Sequence, residues 1–140
     1  MSLPDLVGIG TVVVDRVRRT RGFAEPGQKR VTRRPEIFPG GVVLNHLAWA
    51  AAMGLRPGLL ARLGRDDGGC YLRREMPRFG IATDWLVDAP GEPTGVSEIL
   101  AGPGGERAIY SYPGTTLSTT TAQVRRYWRA VLAASRMVSS

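Results

Sequence analysis

The sequence predicts an α/β protein in which a parallel sheet, flanked by helices, carries a smaller sheet at its side. Short apolar runs rich in β-branched residues alternate with segments of helical periodicity, which is the pattern of a parallel sheet covered by helices. A polar segment interrupts this alternation after the first run, and two further runs flank a glycine-rich turn. The 140 residues are 43% hydrophobic and 22% charged, so the chain has the size and composition of one globular domain.

The first strand and the segment that follows it differ sharply in polarity. Residues 6–15 form an apolar, β-branched run that ends at Asp15, as a strand buried on both faces does. The two glycines within this run are predicted to allow tight packing of a central strand, because no third glycine opens a helix as a dinucleotide-binding motif requires. Residues 16–39 are polar and basic, and a weakly apolar, solvent-exposed strand is predicted at 29–33.

Paired glycines introduce the first helix. Gly40 and Gly41 precede an apolar, alanine-rich segment at 42–53, and Gly54 follows it as a natural C-cap. The glycines leave the backbone open to a ligand beside the N–H groups of the helix N-terminus. Asn45, in the first turn, has an amide that both donates and accepts hydrogen bonds, which suits a vicinal diol. A glycine-rich turn with an asparagine near the cap has the same pattern, so both interpretations stay open at this point.

The remaining elements continue the alternation of strands and helices. In chain order they are a strand at 58–62, a helix through 71–79 that Pro77 kinks or ends, a strand at 85–87, a hairpin of 94–101 with 107–112, and a helix with an apolar stripe at 124–132. The last residues, 136–140, look like the opening of another strand. A parallel sheet that stopped there would lack strands, so we expect a truncated sheet.

Composition excludes several classes of protein. One cysteine, Cys70, rules out an intrachain disulfide, and with His46 as the one histidine there is no cysteine- or histidine-rich metal site. The longest apolar run, 47–53, is too short to cross a bilayer, and no secretory signal is visible. These features predict a reducing, cytoplasmic setting. The net charge of +7 comes from clustered arginines without interleaved aromatic residues, which favours a solvated surface over a nucleic-acid site.

Two glycine motifs together resemble the ribokinase-like (PfkB-type) carbohydrate kinases. Gly-Gly-x-x-x-Asn occurs at 40–45, and a loop of the form Gly-x-Asp-x-x-Gly follows at 64–69 with the spacing of that family. Further on, 93–96 and 105–109 resemble the family's paired strands beside the substrate. The resemblance spans residues 6–138. Each motif alone is weak, but the pair is fairly specific.

The resemblance implies that residues 1–140 are the amino-terminal part of a kinase domain with a Rossmann-like sheet and a small β-sheet lid. The lid would consist of 16–39 and 94–112. The residues implied to bind the substrate are Asp15, Gly40, Gly41 and Asn45, with Tyr110 packing over the sugar. No catalytic residue is expected in this chain, because the family's Gly-Ala-Gly-Asp motif, which carries the catalytic aspartate, does not occur in it.

The parent family uses ATP and Mg²⁺, and neither is expected to bind this chain tightly. We therefore expect the substrate-binding part of an ATP-dependent sugar or nucleoside kinase, which transfers the γ-phosphoryl group to a sugar hydroxyl, with this chain alone inactive. The alternative is a non-catalytic sugar-binding or dimerisation module, in which the predicted strand at 29–33 offers an edge for a homodimer through the lid sheet. A membrane or nucleic acid is not expected as a partner.

Overall fold

The computed structural model describes residues 4–134 and 137–139. Within these residues the backbone forms two sheets and three α-helices. In chain order the elements are β1 (Leu6–Ile9), β2 (Val13–Arg19), β3 (Glu36–Gly40), α1 (Val42–Ala52), β4 (Pro57–Gly64), α2 (Asp67–Glu75), β5 (Ala82–Ala89), β6 (Gly95–Ala101), β7 (Arg107–Tyr112), α3 (Thr121–Ala134) and β8 (Met137–Ser139). Short 3₁₀ helices follow α2 at Met76–Phe79 and β7 at Gly114–Ser118. None of the described helices combines the length and the apolar character needed to cross a lipid bilayer.

The first sheet has the strand order β5-β4-β1-β8, and all of its neighbouring strands are parallel. Alternate residues of each strand point to opposite faces, so the two faces pack against different helices. Leu59 of β4 belongs to the same core cluster as Leu47 of α1 and Leu72 of α2. Leu60, the next residue of β4, packs in a second cluster with Val131 of α3. Both faces of this sheet are therefore covered by helices, as the apolar strands predict.

The second sheet has the order β3-β2-β6-β7 and is mixed. β2 pairs with β6 in parallel, whereas the outer strands β3 and β7 run antiparallel to their neighbours. The β6–β7 hairpin confirms the predicted pairing of 94–101 with 107–112. A parallel sheet flanked by helices, with a smaller sheet beside it, is the fold class that the sequence predicts.

The predicted single strand at 6–15 is wrong. β1 ends at Ile9, and residues 10–12 carry the chain across to the second sheet, where β2 begins at Val13. The apolar run continues through the crossing because the three valines at 12–14 are buried although the first strand has already ended. Apolar residues of the run are therefore buried on both sides of the point where the chain passes from the first sheet to the second.

The predicted strand at 29–33 is also wrong. The strand of this segment is β3, which pairs with β2 and begins after Pro35. Residues 29–33 lie outside any strand, and Val31 among them is 87% exposed. The basic residues around Val31 leave no apolar face to bury, so nothing offsets the entropy cost of ordering a strand here. The edge strand of the second sheet on this side is β3 itself.

α1 packs closely against β1 because Gly8 has no side chain. A Cβ atom at Gly8 would lie 2.6 Å from Cγ1 of Val43 and 3.0 Å from Cδ1 of Leu47. Both of these side chains are buried, which confirms that this glycine serves tight packing in a central strand. At the other end of α1, the N–H of Gly54 donates to the carbonyl oxygen of Ala51 at 2.9 Å, as the predicted C-cap requires.

Gly8→Ala is expected to lower the free energy of unfolding by about 1–3 kcal/mol, because the added methyl group overpacks the contact between β1 and α1. Gly22→Ala is the matched control, since nothing lies within 4 Å of the Cβ it would add, and its effect should stay below about 1 kcal/mol. Urea unfolding followed by far-UV circular dichroism measures both variants. Equal stability of the two would contradict the close packing.

Candidate functional site

Asp15 lies within β2, close to the junction of the two sheets, and not at the end of a first strand as predicted. Its register partners are Phe38 on β3 and Ser97 on β6. A Cβ atom on Gly40 would overlap the Asp15 carboxyl group, so the carboxylate lies directly against the backbone of Gly40. Gly40 ends β3 and immediately precedes the N-cap of α1. The structure thus brings Asp15 and the glycine pair together.

Two serines that the sequence does not single out complete the surroundings of Asp15. Ser97 is 7% exposed and lies opposite Asp15 in the register of β2 and β6, on the same face of the second sheet. The Ser111 hydroxyl lies 3.0 Å from that of Ser97, and either hydroxyl can be the donor in this pair. The only sequence signal for these two serines is that each strand of the predicted hairpin carries a polar residue, and this signal does not reveal the register of the strands.

Burial raises the pKa of the Asp15 carboxyl above its usual value, and the hydrogen bond from Ser97 offsets only part of this effect. Ionising Asp15 therefore costs free energy in the folded protein. A carboxylate has two acceptor oxygens and can accept several hydrogen bonds. The Asp15 carboxylate is thus a partly buried acceptor that further donors, such as the hydroxyls of a ligand, would stabilise.

The N-terminus of α1 begins beside this carboxylate. Gly41 is the N-cap, with φ +107, and a Cβ atom there would collide with the backbone of Thr11 and Val12. Both the backbone conformation and the close approach require glycine at this position. No side chain caps the helix, so its first N–H groups have no side-chain acceptor. The Asp15 carboxylate, which accepts hydrogen bonds, and the first N–H groups of α1, which donate them, therefore lie on the two sides of Gly40.

The other two predicted site residues, Asn45 and Tyr110, are both exposed. Asn45 is exposed, one turn into α1, and lines a shallow hollow of about 290 Å³ with Ala48, Trp49 and Ala52. Tyr110 is 69% exposed and pairs with Glu98, the residue after Ser97. Since successive residues of a strand point to opposite faces, the Tyr110 side chain lies on the other face of the second sheet from Asp15.

The second glycine motif, at 64–69, connects the two sheets. Asp66 caps α2 by accepting a hydrogen bond from the N–H of Gly69 at 2.8 Å. It also accepts from the backbone N–H of Thr94 at 2.7 Å and from the Thr94 hydroxyl at 2.6 Å. The same hydroxyl accepts a hydrogen bond from the N–H of Gly64 at 3.0 Å. The loop after β4 is thereby tied to the residue that precedes β6.

Asp66 and Asp15 are perturbed in opposite directions. Burial alone would raise the pKa of the Asp66 carboxyl, but hydrogen bonds from the Thr94 hydroxyl and from the backbone N–H groups of Gly69 and Thr94 outweigh it and lower that pKa. Asp66 is therefore a charged group whose acceptor capacity is used within the fold. Asp15 is the carboxylate of the two that is suited to a ligand.

The described residues do not fit a metal site. Among residues 4–134 and 137–139, no three carboxylate, imidazole or thiol side chains lie close enough together to hold a metal ion. Asp67, next to Asp66, is exposed and lies in the first turn of α2, where a negative charge favours the helix dipole.

One known protein family matches almost the whole length of this chain. Its description is "pfkB family carbohydrate kinase", and its family model matches residues 3–139 of this chain. The chain belongs to the pfkB family of carbohydrate kinases. This membership confirms the resemblance that the two glycine motifs carry.

Ribokinases are similar to this chain at low sequence identity. Ribokinase from Staphylococcus aureus (strain COL) is 23% identical over 135 residues, which are 96% of this chain and 44% of that protein. Ribokinase from Giardia lamblia superposes with a TM-score of 0.83 at 24% identity, covering 98% of this chain and 41% of its own. Ribokinase from Arabidopsis thaliana, solved with ribose and ATP, superposes with a TM-score of 0.69 at 22% identity, covering 82% of this chain and 37% of its own. This chain therefore spans less than half the length of each.

Asp66→Ala is expected to lower the free energy of unfolding at pH 7 by about 2 kcal/mol, since it removes an N-cap and the hydrogen bonds from Thr94. The folded-state pKa of Asp66 lies below its unfolded value, so this contribution is complete above the unfolded pKa and is lost as the pH falls through the folded pKa. The difference between parent and variant should therefore shrink on acidification.

Urea titrations at a series of pH values between neutral and acid conditions measure this difference. Asp67→Ala removes the neighbouring exposed carboxylate and serves as the control, with an expected cost below about 1 kcal/mol. A difference between parent and Asp66→Ala that stayed constant with pH would show that the ionised Asp66 does not hold the loop.

Proposed function

We propose that this chain is the substrate-binding part of an ATP-dependent sugar or nucleoside kinase. The observation that carries the proposal is the Asp15 carboxylate, which lies against the bare backbone of Gly40 beside the N-terminus of α1. Membership of the pfkB family supports it, as does the fold shared with an Arabidopsis thaliana ribokinase solved with ribose and ATP. The reaction would transfer the γ-phosphoryl group of ATP to a hydroxyl of the sugar.

The proposed pocket recognises a polyol through its hydroxyl groups. Asp15 would accept hydrogen bonds from two neighbouring hydroxyls, since a carboxylate presents two acceptor oxygens. Gly40 and Gly41 would allow the sugar to approach the backbone, where N–H groups donate to its oxygens. Asn45 would line the pocket from the side of α1. Tyr110 is left out of the pocket, because it lies on the opposite face of the second sheet from Asp15.

Phosphoryl transfer also needs a base for the acceptor hydroxyl, donors for the transferred group and a positioned nucleotide. Asp15 and the α1 N-terminus account for recognition of the acceptor alone. We therefore propose that the chain binds the sugar and does not transfer the phosphoryl group by itself. The cytoplasmic location expected from the sequence stays a prediction.

The alternative proposal is a non-catalytic sugar-binding or dimerisation module. Exposed apolar side chains on the second sheet favour it, since Phe38 and Ile109 lie on the same face as Asp15 and are 45% and 47% exposed. Because 29–33 is not a strand, the edge offered for a homodimer would be β3. Sedimentation equilibrium at increasing protein concentration distinguishes a homodimer from a monomer.

Asp15→Asn is expected to weaken sugar binding by at least about tenfold, because the amide replaces one acceptor oxygen with a donor. The folded-state pKa of Asp15 is raised, so its ionised form costs stability at neutral pH, and the neutral variant should unfold at a higher urea concentration at pH 7. Calorimetric titration with a panel of pentoses, hexoses and nucleosides measures the affinity. Asp84→Asn, at an exposed position of β5, is the control and should change neither property. Unchanged affinity in Asp15→Asn would remove Asp15 from the site.

The chain alone is expected to form no ADP when it is incubated with ATP, Mg²⁺ and the same panel of sugars and nucleosides. The physical reason is that the acceptor site lacks the partners that phosphoryl transfer requires. A coupled assay for ADP, run beside a sample without protein, measures turnover. Sugar-dependent ADP formation above that background would overturn the proposal that this chain is inactive by itself.

A further inference from the structure

A basic cleft lies at the far end of the second sheet, between the end of β2 and the loop that follows it. Its volume is about 600 Å³, which is within the usual range of small-molecule sites. The basic side chains that line it are Arg19, Arg21, Lys29, Arg30 and Arg33. Residues 16–39 hold eight basic and two acidic side chains, a net +6 out of the +7 of the whole chain. Five of these eight basic side chains therefore surround one cleft.

Few carboxylates offset this charge. Glu36 pairs with Arg19 at 2.9 Å, and Glu106 accepts the N–H of Gly104 within its own hairpin turn. In the described part of the chain, no carboxylate oxygen lies within 4.0 Å of a side-chain nitrogen of Lys29 or Arg30. Unpaired like charges around one cleft raise its positive potential, and an anion that enters relieves their repulsion.

The loop that carries these charges is held in place by its own hydrogen bonds. The Thr20 hydroxyl donates to the carbonyl oxygen of Gly22 at 2.6 Å, and the N–H of Thr20 donates to the Ala101 carbonyl oxygen of β6 at 2.9 Å. The N–H of Gln28 donates to the Glu25 carbonyl oxygen at 2.9 Å and closes a turn. These hydrogen bonds fix the backbone of the loop before Lys29, next to the cleft.

An apolar cavity adjoins the basic cleft. Its volume is about 370 Å³, and Phe23, Ala24 and Leu100 supply its apolar lining. The two spaces share Lys29 and Arg30, as well as two threonines, so one ligand can occupy both. Phosphate groups suit the basic cleft, because guanidinium groups bind them through paired hydrogen bonds. An aromatic body suits the cavity beside the Phe23 ring.

We propose that the basic cleft and the adjoining cavity form a binding site for an organic phosphate with an aromatic or apolar body. Lys29, Arg30 and Arg33 would hold the phosphate, and Phe23 and Leu100 would contact the apolar part. The site is separate from the proposed sugar pocket, since Arg19 lies four residues beyond Asp15, about 13 Å along β2. The inference does not depend on the kinase function.

The shape of the site favours a small molecule over nucleic acid. A duplex is bound across a broad basic surface, and a single strand on exposed aromatic side chains interleaved with basic ones. Here the basic residues surround one cleft, and its single aromatic neighbour, Phe23, is 37% exposed and lines the adjoining apolar cavity. An anion with one apolar body matches this arrangement.

The test compares inorganic phosphate with 1-naphthyl phosphate, which carry the same charged group and differ in the aromatic body. In calorimetric titrations of the 140-residue chain at low ionic strength, both should bind, and 1-naphthyl phosphate about tenfold more tightly. Lys29→Glu/Arg30→Glu should weaken both by at least about tenfold. The matched control is Arg125→Glu/Arg129→Glu on α3, which changes the net charge equally at exposed positions and should leave both affinities unchanged.

A second pair of variants tests the apolar cavity. Phe23→Ala should abolish the preference for 1-naphthyl phosphate and leave the affinity for inorganic phosphate as it was. Leu117→Ala, at a position that is 78% exposed and outside the cavity, should preserve the preference. Thermal unfolding confirms that each variant is folded. If the charge-reversed variant does not fold, Lys29→Gln/Arg30→Gln takes its place with the same expected direction.

Three outcomes would overturn the proposal. The first is that neither phosphate binds, and the second is that the α3 control loses as much affinity as the cleft variant. The third is that a DNA duplex binds more tightly than 1-naphthyl phosphate and loses affinity equally in both charge-reversed variants. That result would assign the arginines to a general basic surface.

Discussion

The rest of the structure depends on close backbone contacts between the segments that carry the chain from one sheet to the other. The chain leaves the first sheet at residues 10–12 and returns at Gly41, whose missing side chain lets it lie against Thr11. It crosses again before Gly95 and returns at Gly114, where a Cβ atom would lie 2.6 Å from the backbone nitrogen of Gly95. Since the crossings are packed backbone to backbone, the two sheets are held at a short distance, and Asp15 of one sheet meets the turn that leads into α1 of the other.

This junction contains two carboxylates with different tasks, and their pKa shifts separate them. Asp66 accepts hydrogen bonds from Gly69 and Thr94, which lower its pKa, so its charge stabilises the fold. Asp15 is desolvated more than it is stabilised by Ser97, which raises its pKa, so its charge costs stability. A group kept at a cost to the fold is the kind of group expected at a binding site. The contrast follows from the number of donors that each carboxylate meets.

Local patterns in the sequence predict α1, the hairpin and the Asp66 loop, because each depends on residues that are close together in the chain. These patterns are helical periodicity, a glycine-rich turn, and an aspartate three residues before the Gly69 N–H that it accepts. The predictions that local patterns do not support depend on pairing between strands that are far apart in the sequence. The valines at 12–14 are as apolar in a crossing as in a strand, so periodicity does not show that β1 ends at Ile9. The prediction that Tyr110 packs over the sugar likewise depends on register, because a shift of one residue changes the face of a strand; Tyr110 pairs with Glu98 and lies on the face opposite Asp15.

The same alternation explains how an acceptor carboxylate stays available in so basic a segment. Arg16 and Arg18 point to the face opposite Asp15, and Glu98 on that face binds both, at 3.2 Å and 3.5 Å. Arg19 shares the face of Asp15 but lies about 13 Å farther along β2 and pairs with Glu36. That separation exceeds the Debye length at physiological salt, about 8 Å, and accordingly burial rather than arginine charge sets the pKa of Asp15. The strand pleat thus lets β2 carry a neutralised basic face and a desolvated acceptor on its opposite sides.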